Sequence, residues 1–339
     1  MGKRRACILR HGATGDTLFA TSIIPYLIAD GYTVDFIVGK TGYPILEHDP
    51  RINLVRFPDN CLPFEDLDPF YQSQAKDYDK FVCLTGSVED KWLAAFPSPM
   101  WYWPLGKLRK HCTENYLLDH IRMAGYEPVT EWQTGKLYFS PDDIAFSNNF
   151  RRKFKDRFIL VWALAGSSMH KSYGYFDTVF KMLEKAIPEL LLVTVGNEND
   201  MMLTFEHPKI INFGHFHKPI MTSFALAKIA DLVVGPETAA LNAAGCFDTP
   251  KICMLSHSSK KNLTATWKND FSIQCASACS PCHKLQNISH IWQNVCELDH
   301  HFLHQYGAKI PVCAGMGFQP GYLFERIMEV YNLKIQRQS

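Results

Sequence analysis

Short apolar runs alternate with stretches of helical periodicity along the first half of the chain. The runs predict β-strands at ACILR (6–10), VDFIV (34–38), NLVRF (53–57) and FVCLT (81–85). Between the first two runs, apolar residues recur with helical spacing at Leu18, Ile23, Ile24 and Leu27. A further helix is predicted over 115–126, and residues 138–157 favour a helix followed by a linker. This alternation is typical of a parallel sheet with helices on its faces.

The same alternation restarts in the second half. Strands are predicted at FILVWAL (158–164), LLVTV (191–195), KIINF (209–213), LVV (232–234) and KICML (251–255). Helices are predicted around 176–186 and 238–244, and an amphipathic helix over 324–335 near the end. No short-period repeat is present, so the chain is an α/β protein with two similar halves and not a solenoid.

Length and composition change this picture only in detail. A chain of 339 residues is long for one core, and 47% hydrophobic residues suffice to fill two. We therefore expect an N-terminal domain over residues 1–150, a C-terminal domain over 151–320, and a C-terminal helix, 321–339, that packs back near the interdomain region. The net charge of +1 provides no field that would attract nucleic acid, so no nucleic-acid partner is expected.

The lack of a recognisable signal peptide or membrane span, together with the cysteine usage, predicts a cytoplasmic protein. The apolar run after the basic N-terminus is too short for a signal peptide, and no stretch approaches the length of a membrane span. Eleven cysteines, an odd number scattered over a long chain, favour reduced thiols over a disulfide framework.

The first loop that could carry chemistry is HGATGDTLF, which follows a predicted strand and opens a helix. Ligands of open α/β sheets bind where such loops leave the carboxyl ends of strands. Gly12 and Gly15 suit a phosphate loop, but neither a GxGxxG pattern nor a P-loop is present. Asp16 either caps the helix or serves as a general base exposed to substrate.

The second loop is ALAGSSMHKSYGYF (163–176). Gly166, Ser167 and Ser168 can offer backbone and hydroxyl donors, and Lys171 adds a compact positive charge suited to phosphate. The alternative is an ordinary solvated loop with a surface lysine.

The third segment is DLVVGPETAALNAAGCFDTPKICML (231–255). A buried strand runs into Gly235 and Pro236, and a helix of small residues starts near Thr238. Small residues let a helix N-terminus approach a ligand, and its unpaired N–H groups favour a diphosphate. An alanine-rich helix that packs on the sheet and binds nothing is the alternative.

These three loops, in this order, resemble the ADP-heptose:lipopolysaccharide heptosyltransferases of glycosyltransferase family nine. The matches are Gly15-Asp16 with Thr21 and Pro25, the Gly-Ser-x-x-x-Lys loop that ends at Lys171, and the segment that ends in Thr249-Pro250. The resemblance implies a GT-B fold, with two Rossmann-like domains of parallel sheets that face each other across a cleft. The N-terminal domain would hold the acceptor and the C-terminal domain the nucleotide-sugar.

The family's functional residues carry over as follows. Its catalytic aspartate falls on Asp16, its phosphate-binding lysine on Lys171 beside Ser167, and its acidic nucleotide contact on Glu198. The Asp-Thr/Ser-Gly-x-x-His signature falls on Glu237, Thr238, Ala239 and Asn242. Three of these four positions depart from the pattern, since Glu replaces Asp, Ala replaces Gly and Asn replaces His.

The resemblance implies an inverting, metal-independent transfer of a heptose-like sugar from a nucleoside diphosphate such as ADP-heptose. Asp16 would take the proton from the acceptor hydroxyl, and Lys171 would stabilise the leaving diphosphate. The acceptor would be a glycan or glycolipid, as in lipopolysaccharide core biosynthesis, with at most peripheral contact at the inner face of the membrane. The alternative is a non-catalytic nucleotide-sugar-binding protein of the same fold.

Two further clusters have structural and functional interpretations. The cysteine patch brings Cys275, Cys279, Cys282 and Cys296 near His283 and His290, a spacing that could hold zinc, although a structural patch without metal is favoured. The aromatic run Trp101, Tyr102 and Trp103 could face an acceptor sugar, and a hydrophobic plug between elements is the favoured interpretation.

Overall fold

Strands and helices alternate along the chain as the sequence predicts. The computed structural model describes residues 4–56, 67–88, 90–95, 98–167, 171–197, 199–216, 219–285, 313 and 317–338. The strands are β1 (Arg4–Arg10), β2 (Tyr32–Val38), β3 (Ile52–Arg56), β4 (Lys80–Cys83), β5 (Ala94–Ala95), β6 (Phe158–Ala163), β7 (Leu190–Val195), β8 (Ile210–Asn212), β9 (Leu232–Pro236), β10 (Lys251–Leu255), β11 (Ile273–Gln274) and β12 (Lys284–Leu285).

The helices connect these strands and close the chain. They are α1 (Thr14–Ala20), α2 (Ile24–Ala29), α3 (Tyr43–Leu46), α4 (Leu67–Ala75), α5 (Leu105–His111), α6 (Tyr116–Met123), α7 (Pro141–Lys153), α8 (Phe176–Ala186), α9 (Ile220–Ile229), α10 (Ala239–Gly245), α11 (Lys260–Leu263) and α12 (Pro320–Gln338). No helix among the described residues is long and apolar enough to cross a membrane.

The chain divides into two compact units, and the first comprises Met1–Val88 and Glu114–Ser140. Its sheet has four parallel strands in the order β3-β2-β1-β4. The central strand β1 is buried from Ala6 to Arg10. Strands of a parallel sheet that are covered on both faces have continuous apolar runs, which explains why ACILR was recognisable in the sequence.

The second unit comprises Glu89–Thr113 and Pro141–Ser339. It contains a six-stranded parallel sheet in the order β11-β10-β9-β6-β7-β8 and a two-stranded parallel pair, β12-β5. Strands β6 and β7 are buried along their whole length, and Trp162 lies in the centre of the core. Helix α12 packs on α8 and buries Leu323, Ile327 and Val330 in this core.

The bounds of the units differ from the predicted ranges of 1–150 and 151–320 because tertiary contacts attach two early segments to the second unit. In α7, Arg151 forms an ion pair with Asp231 at 2.9 Å, and Asp143 accepts a hydrogen bond from Thr222 at 2.9 Å. In β5, the N–H of Ala94 donates to the carbonyl of His283 at 2.7 Å. Whether α12 lies near the interdomain region stays a prediction.

Helix α9 was missed by the periodicity argument for a physical reason. It is buried on most sides, and its buried residues do not form one stripe: they are Met221, Thr222, Phe224, Ala225, Leu226 and Ala227. Packing against both α7 and α10 covers it. Its exposed residues, Ile220 and Lys228, lie at its two ends, so the helix lacks the amphipathic pattern by which it could be detected.

Candidate functional site

Asp16 lies in the first turn of α1, the helix that follows β1. The helix is capped by Ala13, which provides no side-chain hydrogen bond, so Asp16 is not the cap and that interpretation is wrong. The Asp16 carboxylate forms an ion pair with the Arg10 guanidinium at 2.5 Å. Its side chain is 19% exposed, whereas that of Arg10 is 2% exposed. A half-buried carboxylate is therefore held at the surface by a buried cation.

Backbone carbonyls that follow β1 and β4 hold Arg10 in place. One guanidinium nitrogen donates to the carbonyls of His11 and Leu84 at 3.0 and 3.1 Å, and the other contacts Asp16. Gly12 has φ +133°, which a side chain rarely permits, and a Cβ there would lie 3.4 Å from the guanidinium. The next glycine, Gly15, lies in the first turn of α1. The glycine-bearing turn thus lets the backbone wrap closely around the charge that orients Asp16.

Lys171 and Gly166 face each other in the loop after β6. The N–H of Gly166 donates to the Lys171 carbonyl at 3.1 Å, and the Lys171 ammonium lies 3.5 Å from the hydroxyl of Ser167. Lys171 is 8% exposed, which excludes an ordinary surface lysine. A Cβ on Gly166 would lie 2.7 Å from Lys171 Cδ and 3.2 Å from Thr238 Cγ2. The structure therefore brings Gly166, Lys171 and Thr238 together.

Thr238 begins the small-residue helix as the sequence predicts. It is the N-cap of α10, with an extended backbone and a hydroxyl that accepts from the N–H of Leu241 at 3.4 Å. Ala239 is the first residue of α10. A Cβ on Gly235 would lie 2.8 Å from both Ala163 and Leu241, so only glycine lets β9 and α10 pack this closely against β6.

Asn242 stands where the family pattern has histidine. It lies one turn into α10, and within the described part of the chain its side-chain oxygen is buried without a hydrogen-bond partner. A buried carbonyl oxygen without a donor is uncommon in native proteins and calls for a specific explanation. Ser168 and Glu198, two other predicted site residues, lie outside the described residues.

Glu237 connects the end of β9 to the turn after β10. Its Oε2 accepts from the N–H and hydroxyl of Ser256 at 3.0 and 2.7 Å and from the N–H of His257 at 3.2 Å. Its Oε1 accepts from the N–H of Ser258 at 2.8 Å. The His257 ring adds a contact from Nδ1 to Oε2 at 2.8 Å. Hydrogen-bond donors of this turn therefore occupy both carboxylate oxygens.

Burial and neighbouring groups shift the pKa values of both Glu237 and His257. Burial by itself raises the pKa of Glu237, but His257, Lys171 and the Ser256 hydroxyl outweigh it and hold that pKa below its ordinary value. Burial lowers the pKa of His257, and the charge of Lys171 adds to this effect, while the carboxylate of Glu237 offsets it only in part. These hydrogen bonds and charges favour the ionised carboxylate of Glu237, which the His257 ring contacts through Nδ1 at 2.8 Å.

His257 was not predicted as a site residue, and its neighbour His283 was considered only as part of the possible zinc site of the cysteine patch. His257 follows the carboxyl end of β10, which is the position where ligands of parallel sheets bind, so this signal was present in the sequence. His283 is 2% exposed and donates its backbone N–H to the His257 carbonyl at 2.9 Å. Burial, together with the charges of His257 and Arg109, lowers the pKa of His283 to about 4.

The described cysteines of the patch do not form a metal site. Among the described residues, no three His, Cys, Asp or Glu side chains converge as metal ligands. Cys279 instead lies 3.1 Å from the Ser277 hydroxyl. The guanidinium of Arg109 donates to three carbonyls of this segment at 2.9 to 3.2 Å. Cys296 and His290 lie outside the described residues, and a patch without metal stays a prediction.

The aromatic run after β5 divides between core and surface. Trp101 is buried with Met100, Leu108 and Cys112, as the plug interpretation predicts. Tyr102 is 69% exposed and does not belong to this cluster.

Comparison with known proteins identifies the class of fold. No family model matches the chain, and no curated protein matches it in sequence. Solved structures of glycosyltransferases match it over nearly its full length. The chain therefore has the α/β fold with parallel sheets of GT-B glycosyltransferases, as the resemblance predicted.

Three of these structures illustrate the match. A glycosyltransferase of family 9 from Veillonella parvula has a TM-score of 0.65 and 8% identity and covers 97% of this chain and 98% of its own. ADP-heptose lipopolysaccharide heptosyltransferase II of E. coli has a TM-score of 0.60 and 12% identity, with 99% and 100% covered. The iron-containing dodecameric glycosyltransferase TibC of enterotoxigenic E. coli has a TM-score of 0.57 and 10% identity, with 97% and 76% covered.

Proposed function

We propose that the protein is an inverting, metal-independent glycosyltransferase that moves a heptose-like sugar from a nucleoside diphosphate to a hydroxyl of a glycan or glycolipid. One observation carries the proposal. A nearly buried lysine, Lys171, lies beside Gly166 and the helix cap Thr238 at the carboxyl edge of a parallel sheet. Ligands of such sheets bind at this edge, and a lysine without much solvent is a strong partner for phosphate.

The donor would be held by the second unit. Lys171 supplies positive charge to the diphosphate, and Ser167 beside it supplies a hydroxyl. We include Gly15, Gly166, Ser168, Glu198, Glu237, Thr238, Ala239 and Asn242 among the residues that shape the substrate sites. The orphaned side-chain oxygen of Asn242 is an acceptor that a hydroxyl of the donor could satisfy.

Asp16 would act as the general base in the first unit. The acceptor oxygen attacks the anomeric carbon, its proton passes to the Asp16 carboxylate, and the bond to the diphosphate breaks with its electron pair on the phosphate oxygen. Attack opposite the leaving group inverts the configuration at the anomeric carbon. Arg10 pairs with the Asp16 carboxylate, and its fixed guanidinium orients that carboxylate for the role of a base. Lys171 stabilises the charge that develops on the diphosphate.

The fold neighbours support ADP-heptose as the donor to test first. TibC was solved in complex with ADP-D-β-D-heptose, in a structure with a TM-score of 0.57 that covers 98% of this chain. Heptosyltransferase II acts on lipopolysaccharide, and we propose the same class of acceptor here. Reaction at the inner face of the membrane, from the cytoplasm, would follow from such an acceptor.

Donor binding and transfer are tested separately. Calorimetry with ADP, UDP, GDP and their sugar conjugates identifies the nucleobase that the protein binds. Transfer from the bound donor is then assayed against lipopolysaccharide core acceptors. Asp16→Asn is expected to abolish transfer and leave donor affinity within about twofold, because it keeps the shape and removes the basic oxygen. Asp68→Asn, an exposed carboxylate in the first turn of α4 in the same unit, is the matched control. Retained turnover in Asp16→Asn would remove Asp16 from the mechanism.

A non-catalytic nucleotide-sugar-binding protein is the second candidate. The observation that favours it is Glu237, whose carboxylate is occupied by the turn at 256–258 where the family has a shorter aspartate. Donor binding without any product across the acceptor panel would support this candidate over the enzyme.

A further inference from the structure

Glu237 occupies a position in the fold that connects three parts of the donor site proposed above. It directly follows β9 and directly precedes Thr238, the cap of α10. Its side chain is 4% exposed and extends to the turn after the neighbouring strand β10. Since β9 is paired with both β6 and β10, this carboxylate lies at the centre of the carboxyl edge of the sheet.

The turn at 256–258 presents three successive backbone N–H groups to Glu237. They belong to Ser256, His257 and Ser258 and lie 2.8 to 3.2 Å from the carboxylate oxygens. Successive N–H groups that converge in this way form a concave anion site. Here the anion is a side chain of the protein itself. Oε2 already receives four contacts and Oε1 one, and the side chain is only 4% exposed, so little of the carboxylate is open to a sugar hydroxyl.

The extra methylene of glutamate explains how the contact is made. The sheet spacing separates the ends of β9 and β10 by one strand width, about 4.8 Å, and the longer side chain spans that distance. The charge of the buried Lys171 lowers the pKa of both Glu237 and His257. Gly166 in turn packs on Lys171 and Thr238. A single buried carboxylate thus contacts the 256–258 turn and offsets the charge of the buried lysine.

We propose that Glu237, together with His257, is a positioning residue that holds the 256–258 turn and Lys171 in the arrangement that binds the diphosphate, and that it does not contact the donor sugar. The proposal rests on the proposed function, since it concerns the same donor site. It differs from the role that the resemblance implies for this position, which is direct contact with the nucleotide-sugar. The two roles make opposite predictions for a ligand that lacks the sugar.

The test compares ADP with ADP-glucose as probes. In Glu237→Gln, the buried charge-assisted hydrogen bonds are lost. We expect the affinities for ADP and for ADP-glucose to fall equally, by roughly ten- to a hundredfold. Glu237→Asp is expected to do the same, because it keeps the charge but cannot reach the turn. Unchanged ADP affinity with weaker ADP-glucose binding would overturn the proposal in favour of direct sugar contact.

A matched variant and a measurement without ligand complete the test. Glu184→Gln breaks a partly exposed Glu–His pair with His207 in the same unit and is expected to leave ADP affinity unchanged. Ser256→Ala removes only the 2.7 Å hydrogen bond from the Ser256 hydroxyl to Glu237. It is expected to weaken the affinity for ADP a few-fold. Hydrogen exchange of the amides at 256–258 reports the turn directly, and Glu237→Gln is expected to abolish their protection.

The outcomes separate this proposal from the proposed function. If no nucleotide binds to the wild-type protein, the donor site fails, and the exchange measurement still decides whether Glu237 holds the turn. Unchanged protection in Glu237→Gln overturns the positioning role whatever the ligand data show. A variant that melts earlier but binds ADP as tightly as the wild type below its melting temperature also overturns it, since Glu237 would then serve only the stability of the fold.

Discussion

Gly166→Ala tests whether Gly166, Lys171 and Thr238 pack together, as the proposed donor site requires. The added Cβ would lie 2.7 Å from Cδ and 2.9 Å from Cβ of Lys171, and 3.2 Å from Cγ2 of Thr238. Rotation of the long side chain can relieve the first contact. It cannot relieve the second, because the Cβ of Lys171 is attached to the backbone. The loop must therefore shift, and the ammonium of Lys171 shifts with it.

The magnitude follows from the cost of overpacking. Inserting a methyl group into a packed site costs about 1–3 kcal/mol of stability, which corresponds to a melting temperature lower by about 2–12 °C in a unit of this size. A charge-assisted hydrogen bond to phosphate contributes about 1.5–3 kcal/mol. Misplacing Lys171 is therefore expected to weaken the affinity for ADP by at least about tenfold. The loss in ADP affinity is the more specific of the two effects.

Calorimetry with ADP and a thermal melt on the same sample measure both quantities. The control is Gly321→Ala in α12, where nothing lies within 4 Å of the added Cβ and helix propensity favours alanine by about 0.5–1 kcal/mol. We expect Gly321→Ala to melt at or slightly above the wild-type temperature and to bind ADP equally well. If Gly166→Ala behaves like this control, Gly166, Lys171 and Thr238 do not pack together in solution as they do in the structure.

Three further predictions follow from the described contacts. Arg10→Met removes the cation beside Asp16, so we expect kcat to fall by about 10- to 100-fold with unchanged ADP affinity; an unaltered kcat would show that Asp16 needs no partner. His283 has its pKa lowered to about 4, and the pKa of His257 is also lowered, so the unfolded chain binds more protons below about pH 6.5 and stability falls as the pH decreases. Denaturant titrations between pH 7 and 4 should show a loss of about 3 kcal/mol from His283 alone, and an equal loss in His283→Asn would contradict this. Arg109→Gln removes donors from three carbonyls of the 278–281 segment and should increase hydrogen exchange there without changing exchange in β6; equal exchange in both proteins would show that the contacts are not maintained in solution.

Most strands and several helices of this chain could be predicted from local sequence patterns. All strands of the four-stranded and six-stranded sheets except β11 were predicted within a few residues, because buried parallel strands have continuous apolar runs. The two-residue strand β11 was not predicted. Helix α8 was predicted at its observed bounds because its apolar residues form one face. The short pair β5 and β12 was not predicted, since two-residue strands have no periodicity and exist only because they pair with each other.

The candidate site divides in the same way. The sequence by itself determined that loops with Asp16, Lys171 and Thr238 follow apolar strands, because strand and helix periodicity can be detected locally. Only the tertiary structure decided that Arg10 pairs with Asp16, that Gly166 packs against Thr238, and that Glu237 faces His257. These contacts depend on which strands are neighbours and on side-chain direction at their ends. Sheet order is a property of the whole folded chain, so no local pattern determines it.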